Sequence, residues 1–139
     1  MKSSSLIFGM VLAVVVLAVL LLVFGVRFDS NQSAVYRAGN EQTMAGVVDE
    51  VGDFTCPVSA NEMGAHLRLK TASGPVVVHL APARIMRSQS YRFHSGDNIE
   101  VRGAPVRVGG ADGMIAREIT RGNEIITLRD KEGKLLLVQ

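Results

Sequence analysis

Four side chains in this sequence could hold a metal ion: His66, His79, His94 and Cys56, which are all of its histidines and its one cysteine. Two of them bracket the run HLRLKTASGPVVVHL, His66 to Leu80, which reads as two strands joined by a turn at Ala72-Ser73-Gly74-Pro75. Side chains alternate across a strand, so His66 and His79 fall on one face of the hairpin. If the turn closes over Ala72-Ser73, residue 71 pairs with 74 and His66 stands opposite His79. Paired Cβ atoms lie about 4.5–5.5 Å apart, near enough for two imidazoles to share a transition metal such as iron, zinc or copper. Two ligands do not complete a site, because structural zinc takes four and catalytic zinc three plus water. His94 and Cys56 are the further candidates, though neither has a spacing such as C-x-x-C or H-E-x-x-H.

A second reading stays open beside this one. Leu67 and Leu69 in the first strand, and Val76, Val78 and Leu80 in the second, are the predicted core set. The histidines then share the outward face with Arg68, Lys70 and Val77, as polar residues on a solvated sheet. Neighbouring cations on that face work against a bound metal cation.

Other chemistry is poorly supplied, and the expectation is a protein that is not an enzyme. No G-x-S-x-G elbow is present. Asp49, Glu50 and Asp53 cluster where acids commonly solvate a turn. Gly109, Gly110 and Gly113 fall in a hairpin and make no phosphate cradle between strand and helix. Single-strand nucleic-acid binders stack bases on aromatic rings. This domain offers only Phe54, Tyr91 and Phe93, so nucleic acid is not an expected partner. One cysteine excludes an intramolecular disulfide, and burial as a small apolar residue is its default.

The elements that must position these residues read as all-β. Thr43–Val51 is the first expected strand, with a bulge at Gly46, followed by a loop from Gly52 to Gly64. Ala65–Thr71 and Val76–Leu80 form the hairpin. Pro82–Gln89 is the one helical segment, with proline suited to a first turn. Strands are expected again at Asn98–Val106, Met114–Thr120, Glu124–Leu128 and Leu135–Val138. Three strands, a short helix and further strands is the order of the OB-fold, a small Greek-key barrel. That barrel is expected over residues 43–139.

Ahead of it, Leu6 to Val26 is 21 residues without a charge. As a helix it would be about 31 Å long, the thickness of a bilayer's hydrocarbon core. A cleaved signal peptide would have a shorter apolar run and a small-x-small site. The expectation is therefore a short cytoplasmic tail (1–5), a single transmembrane helix (6–26) and a polar linker (27–42). The barrel would lie in the periplasm or the lumen of an intracellular membrane. The net charge of +2 is spread along the chain and forms no basic block.

HLRLKTASGPVVVHLAP, GDNIEVRGAPV and IAREITRGNEIITLRDKEG together cover most of the chain from about Gly64 to Gly133. These runs resemble small bacterial OB-fold proteins. Joined to an N-terminal anchor, the arrangement is similar to magnetosome membrane proteins of the MamS type. That resemblance implies a role in magnetite crystal growth (biomineralization), at a magnetosome-type membrane and among other membrane or extracytoplasmic proteins. The anchored OB domain of the cytochrome c haem chaperone is a further comparison. That family carries a histidine and a tyrosine late in the barrel, whereas this chain has no histidine after His94 and no tyrosine after Tyr91. The expected function is thus a membrane-anchored binding or assembly protein, with an extracytoplasmic metal or haem carrier as the alternative.

Overall fold

The computed structural model describes residues 14–16, 35–56 and 62–137. The chain divides into two compact units, Met1–Gln32 and Ser33–Gln139. Within the first, only Val14, Val15 and Val16 are described, and they are helical. The tail at 1–5, most of the expected span at 6–26 and the linker as far as residue 34 lie outside the described residues. Among the described residues, no helix is long and apolar enough to cross a membrane.

The second unit is all-β, as its alternating runs predict. Its strands are β1 (Gln42–Thr55), β2 (Met63–Thr71), β3 (Gly74–Pro82), β4 (Asn98–Val108), β5 (Ala111–Arg121) and β6 (Glu124–Thr127), with α1 (Ala83–Ser88) between β3 and β4. Neighbouring strands run in the order β3-β2-β1-β4-β5-β6, and β3 also pairs with β5. That extra pairing is parallel, from Val77↔Gly113 to His79↔Ile115, and closes five strands into a ring. Closure removes the exposed edges that an open sheet of these strands would present.

β1 makes the ring possible. Its first half pairs with β4 and its second half with β2, and the register shifts between Val48 and Glu50 where the strand changes partner. The bulge expected at Gly46 is thus at Asp49, which the register skips. Gly46 serves close packing instead, since a Cβ there would sit 2.8 Å from the Leu69 side chain. β1 also continues to Thr55, through residues expected to be loop. Pairing with β2 from Gly52↔His66 to Thr55↔Met63 holds this stretch extended despite its polar composition.

The hairpin register is as predicted, with Thr71↔Gly74 and His66↔His79. Thr71 Oγ1 donates to the Gly74 carbonyl and accepts from the Ser73 N–H, closing the Ala72-Ser73 turn. The core holds Val48, Leu67, Leu69, Val76, Val78, Leu80, Ile99, Val101, Met114, Ala116, Ile119 and Leu128. α1 buries Ala83, Ile85 and Met86 and packs against β2 and β3. After β6 the described residues make one isolated bridge, Arg129↔Leu135, where a final strand at Leu135–Val138 was expected.

The chain enters β1 through a polar clamp. Tyr36 donates to Glu41, and Arg117 on β5 donates to both Glu41 carboxylate oxygens, at 2.6 and 3.3 Å. Residues 36–41, read as part of a polar linker, are thereby tied to the barrel.

Candidate metal centre

His66 and His79 are 3% and 6% exposed, so they are not the solvated polar residues that alternation alone suggested. They do point away from the Leu67–Val78 layer, as expected. The difference is that this outer face has a cover. The last residues of β1 alternate onto it: Phe54 places its ring 5.5 Å from that of His66, and Cys56 follows two residues later. The Cys56 N–H donates to the Glu62 carbonyl, 3.1 Å away, which brings the chain back toward β2. Ile115 of β5 is buried on the same side through its pairing with His79, outside the main core cluster.

Three ligand-type side chains meet there. The imidazoles lie edge to face with centroids 4.6 Å apart. Cys56 Sγ is 3.3 Å from His79 Nδ1. One ligand atom from each of Cys56, His66 and His79 lies within 4.8 Å of the other two. Glycine makes the room. A Cβ on Gly64 would lie 2.6 Å from Cys56 Cβ and 3.1 Å from His66 Cε1, and one on Gly113 would lie 3.3 Å from His79 Nε2.

The polar accounting is incomplete. His66 Nδ1 is buried and makes no hydrogen bond among the described residues. Leaving such a group unsatisfied costs about 1–3 kcal/mol, which a metal ion would offset. A cation stands close by. Arg129 is buried, and its guanidinium donates to the carbonyls of Leu80 and Ala116, spanning the seam where β3 and β5 diverge. Burial holds its pKa below the ordinary arginine value, while Tyr36 and Cys56 are near enough to act in the opposite direction.

The candidates divide three to one. His66, His79 and Cys56 come together. His94 does not: it is exposed, and its N–H is bonded to the Asp97 carboxylate before β4. Arg68 and Lys70, which weighed against a metal, are paired instead with Asp49 and Glu50. The sequence reading missed Arg129, whose separation from the hairpin by the length of the barrel leaves no local signal. Gly64 and Gly113 were the available hint, since glycine in a strand often marks a close approach.

A thiol 3.3 Å from an imidazole is also the arrangement of a cysteine nucleophile and its base. Such a pair must meet its substrate, and Cys56 is only 2% exposed. A soft and borderline donor set of one sulfur and two ring nitrogens suits copper or zinc better than magnesium, calcium or manganese.

Residues 40–126 match the MamS/MamX magnetosome protein family, a stretch running from just before β1 into β6. No curated protein matches the chain. The match covers more than half of the sequence and includes Cys56, His66 and His79, and the chain belongs to this family.

Proposed function

We propose, from that membership, that the protein is a non-catalytic accessory factor of the magnetosome membrane that supports magnetite crystal growth. The observation that carries this reading is that the family match falls on the barrel itself, residues 40–126, and not on the apolar N-terminal stretch. The barrel is then the working part. Five strands closed by a parallel β3–β5 pairing, with a helix after β3, have the order of an OB-fold. Such barrels bind other molecules on a rigid frame. Held by a span at 6–26, this one would face the lumen or periplasm and work with other membrane or extracytoplasmic proteins.

Deleting the gene and restoring it tests the role, with crystals sized by electron microscopy. Smaller or misshapen crystals in vesicles of unchanged number are expected, corrected by the restored gene. Normal crystals, or loss of one defined turnover in their place, would overturn it.

A second reading, the extracytoplasmic metal carrier, is favoured by the buried Nδ1 of His66, without a hydrogen bond among the described residues, beside Cys56 and His79. A metal handled there would join the accessory role to the chemistry of the growing mineral.

A further inference from the structure

We propose that Cys56, His66 and His79 form a closed three-coordinate site for a single monovalent copper ion. This deepens the metal-carrier reading and rests on it.

Geometry comes first. Donors around one trigonal metal, at about 2.0 Å for nitrogen and 2.3 Å for sulfur, stand roughly 3.5–3.8 Å from each other. Here Cys56 Sγ and His79 Nδ1 are 3.3 Å apart, and one ligand atom from each of the three residues lies within 4.8 Å of the other two. Closing the group onto an ion needs ring rotations and shifts of about an ångström, not a change of fold. His66 Nδ1, without a hydrogen bond among the described residues, points to a ligand independently of these distances.

Three arguments choose the ion. The first is donor type. Iron(II) in a protein commonly draws on carboxylates, and no Asp or Glu joins this group among the described residues. The second is coordination number. Zinc takes four donors, so a water would have to enter among side chains that are all nearly fully buried. Copper(I) is satisfied by three. The third is charge. Uptake of Cu⁺ forms a sulfur–copper bond and breaks the S–H bond, sending one proton to solvent. Copper stays monovalent and no electron moves. One positive charge replaces another, so the buried guanidinium of Arg129 meets no new repulsion. Zn²⁺ for H⁺ adds one uncompensated charge beside it, in surroundings where charges are weakly screened.

The test uses the full chain in detergent under anaerobic conditions. Copper(I) is presented as a coloured chelator complex, and zinc(II) and iron(II) are tested separately and as competitors. One copper per chain is expected to leave the chelator, undisplaced by about a 100-fold excess of zinc or iron, since a soft thiolate donor favours copper(I) and three donors leave zinc short of its fourth. Cys56→Ser, His66→Asn and His79→Asn should each weaken binding by about 10–100-fold or more. Their circular dichroism should stay native, and X-ray absorption of the wild type should show one sulfur and two nitrogen neighbours. Zinc bound as tightly as copper, native-like variants that keep copper, or a folded wild type that takes none would each overturn the proposal. The crystal phenotype is a separate readout. Normal crystals with copper-binding protein would end the accessory role and leave the site, while a deletion phenotype with no copper binding would do the reverse.

Discussion

Tyr36, Glu41 and Arg117 form a polar constellation whose consequences can be worked out one residue at a time. Arg117 first, and Tyr36 second, hold the Glu41 carboxyl below the usual carboxylate range. Stability from its ionised form is complete above the ordinary glutamate pKa and is lost as pH falls through the lower folded value. Tyr36 is pushed up to about 12, chiefly by burial and then by Glu41. Its neutral form contributes fully below the ordinary tyrosine pKa of about 10, and that contribution is lost as pH rises from there toward 12. The only other tyrosine, Tyr91, is also raised by burial. We expect an ultraviolet titration of the native protein to show no tyrosine ionising near its ordinary pKa, and Tyr36→Phe to remove the step near 12. Glu41→Gln should cost about 1.5–3 kcal/mol, the range for a hydrogen bond to a charged group, and lower the Tyr36 pKa. A native phenol titrating normally would show that the clamp does not hold in solution.

Strands place these residues, and the tightest strand contact is at Gly103, where the β4–β5 register shifts. A Cβ on Gly103 would overlap the Ile115 carbonyl oxygen and come within 2.9 Å of its carbon and 3.0 Å of Ala116 Cα. Backbone cannot give way as a side-chain tip does. Gly103→Ala should therefore cost at least about 1–3 kcal/mol, the usual penalty of overpacking, read as a lower midpoint in urea. Because Ile115 is the register partner of His79, the same variant should loosen the group of Cys56, His66 and His79. An unchanged midpoint would count against the bulge. This level of organisation was partly legible from residues alone. The hairpin was, because alternation and the Ala72-Ser73 turn determine which residues pair, and His66 does face His79. The cover over that face was not. Gly52-Asp53-Phe54-Thr55 reads as loop by composition, and only pairing with β2 draws it into β1 and sets Phe54 and Cys56 over the histidines. A local pattern specifies the face of a strand, while burial of that face depends on partners distant in sequence.

For the molecule as a whole, the question is which compartment the barrel occupies. The 21 uncharged residues from Leu6 to Val26 would span a bilayer as a helix. Alkaline carbonate should leave the full chain with the membrane, and detergent should release it. Protease added to intact magnetosome vesicles should spare the barrel until detergent opens them. That comparison needs its own control, because a closed barrel resists cleavage by its fold. A protease site inserted between Gly109 and Gly110, at the exposed turn joining β4 and β5, supplies one that cuts wherever the barrel is accessible. Release by carbonate would mean that the apolar stretch does not hold the chain in the bilayer. Cleavage in sealed vesicles would put the barrel on the cytoplasmic side, away from the crystal. Protection, lost on adding detergent, would place Cys56, His66 and His79 in the compartment where the mineral grows. Any copper they hold would then be supplied from the lumen and not from the cytoplasm.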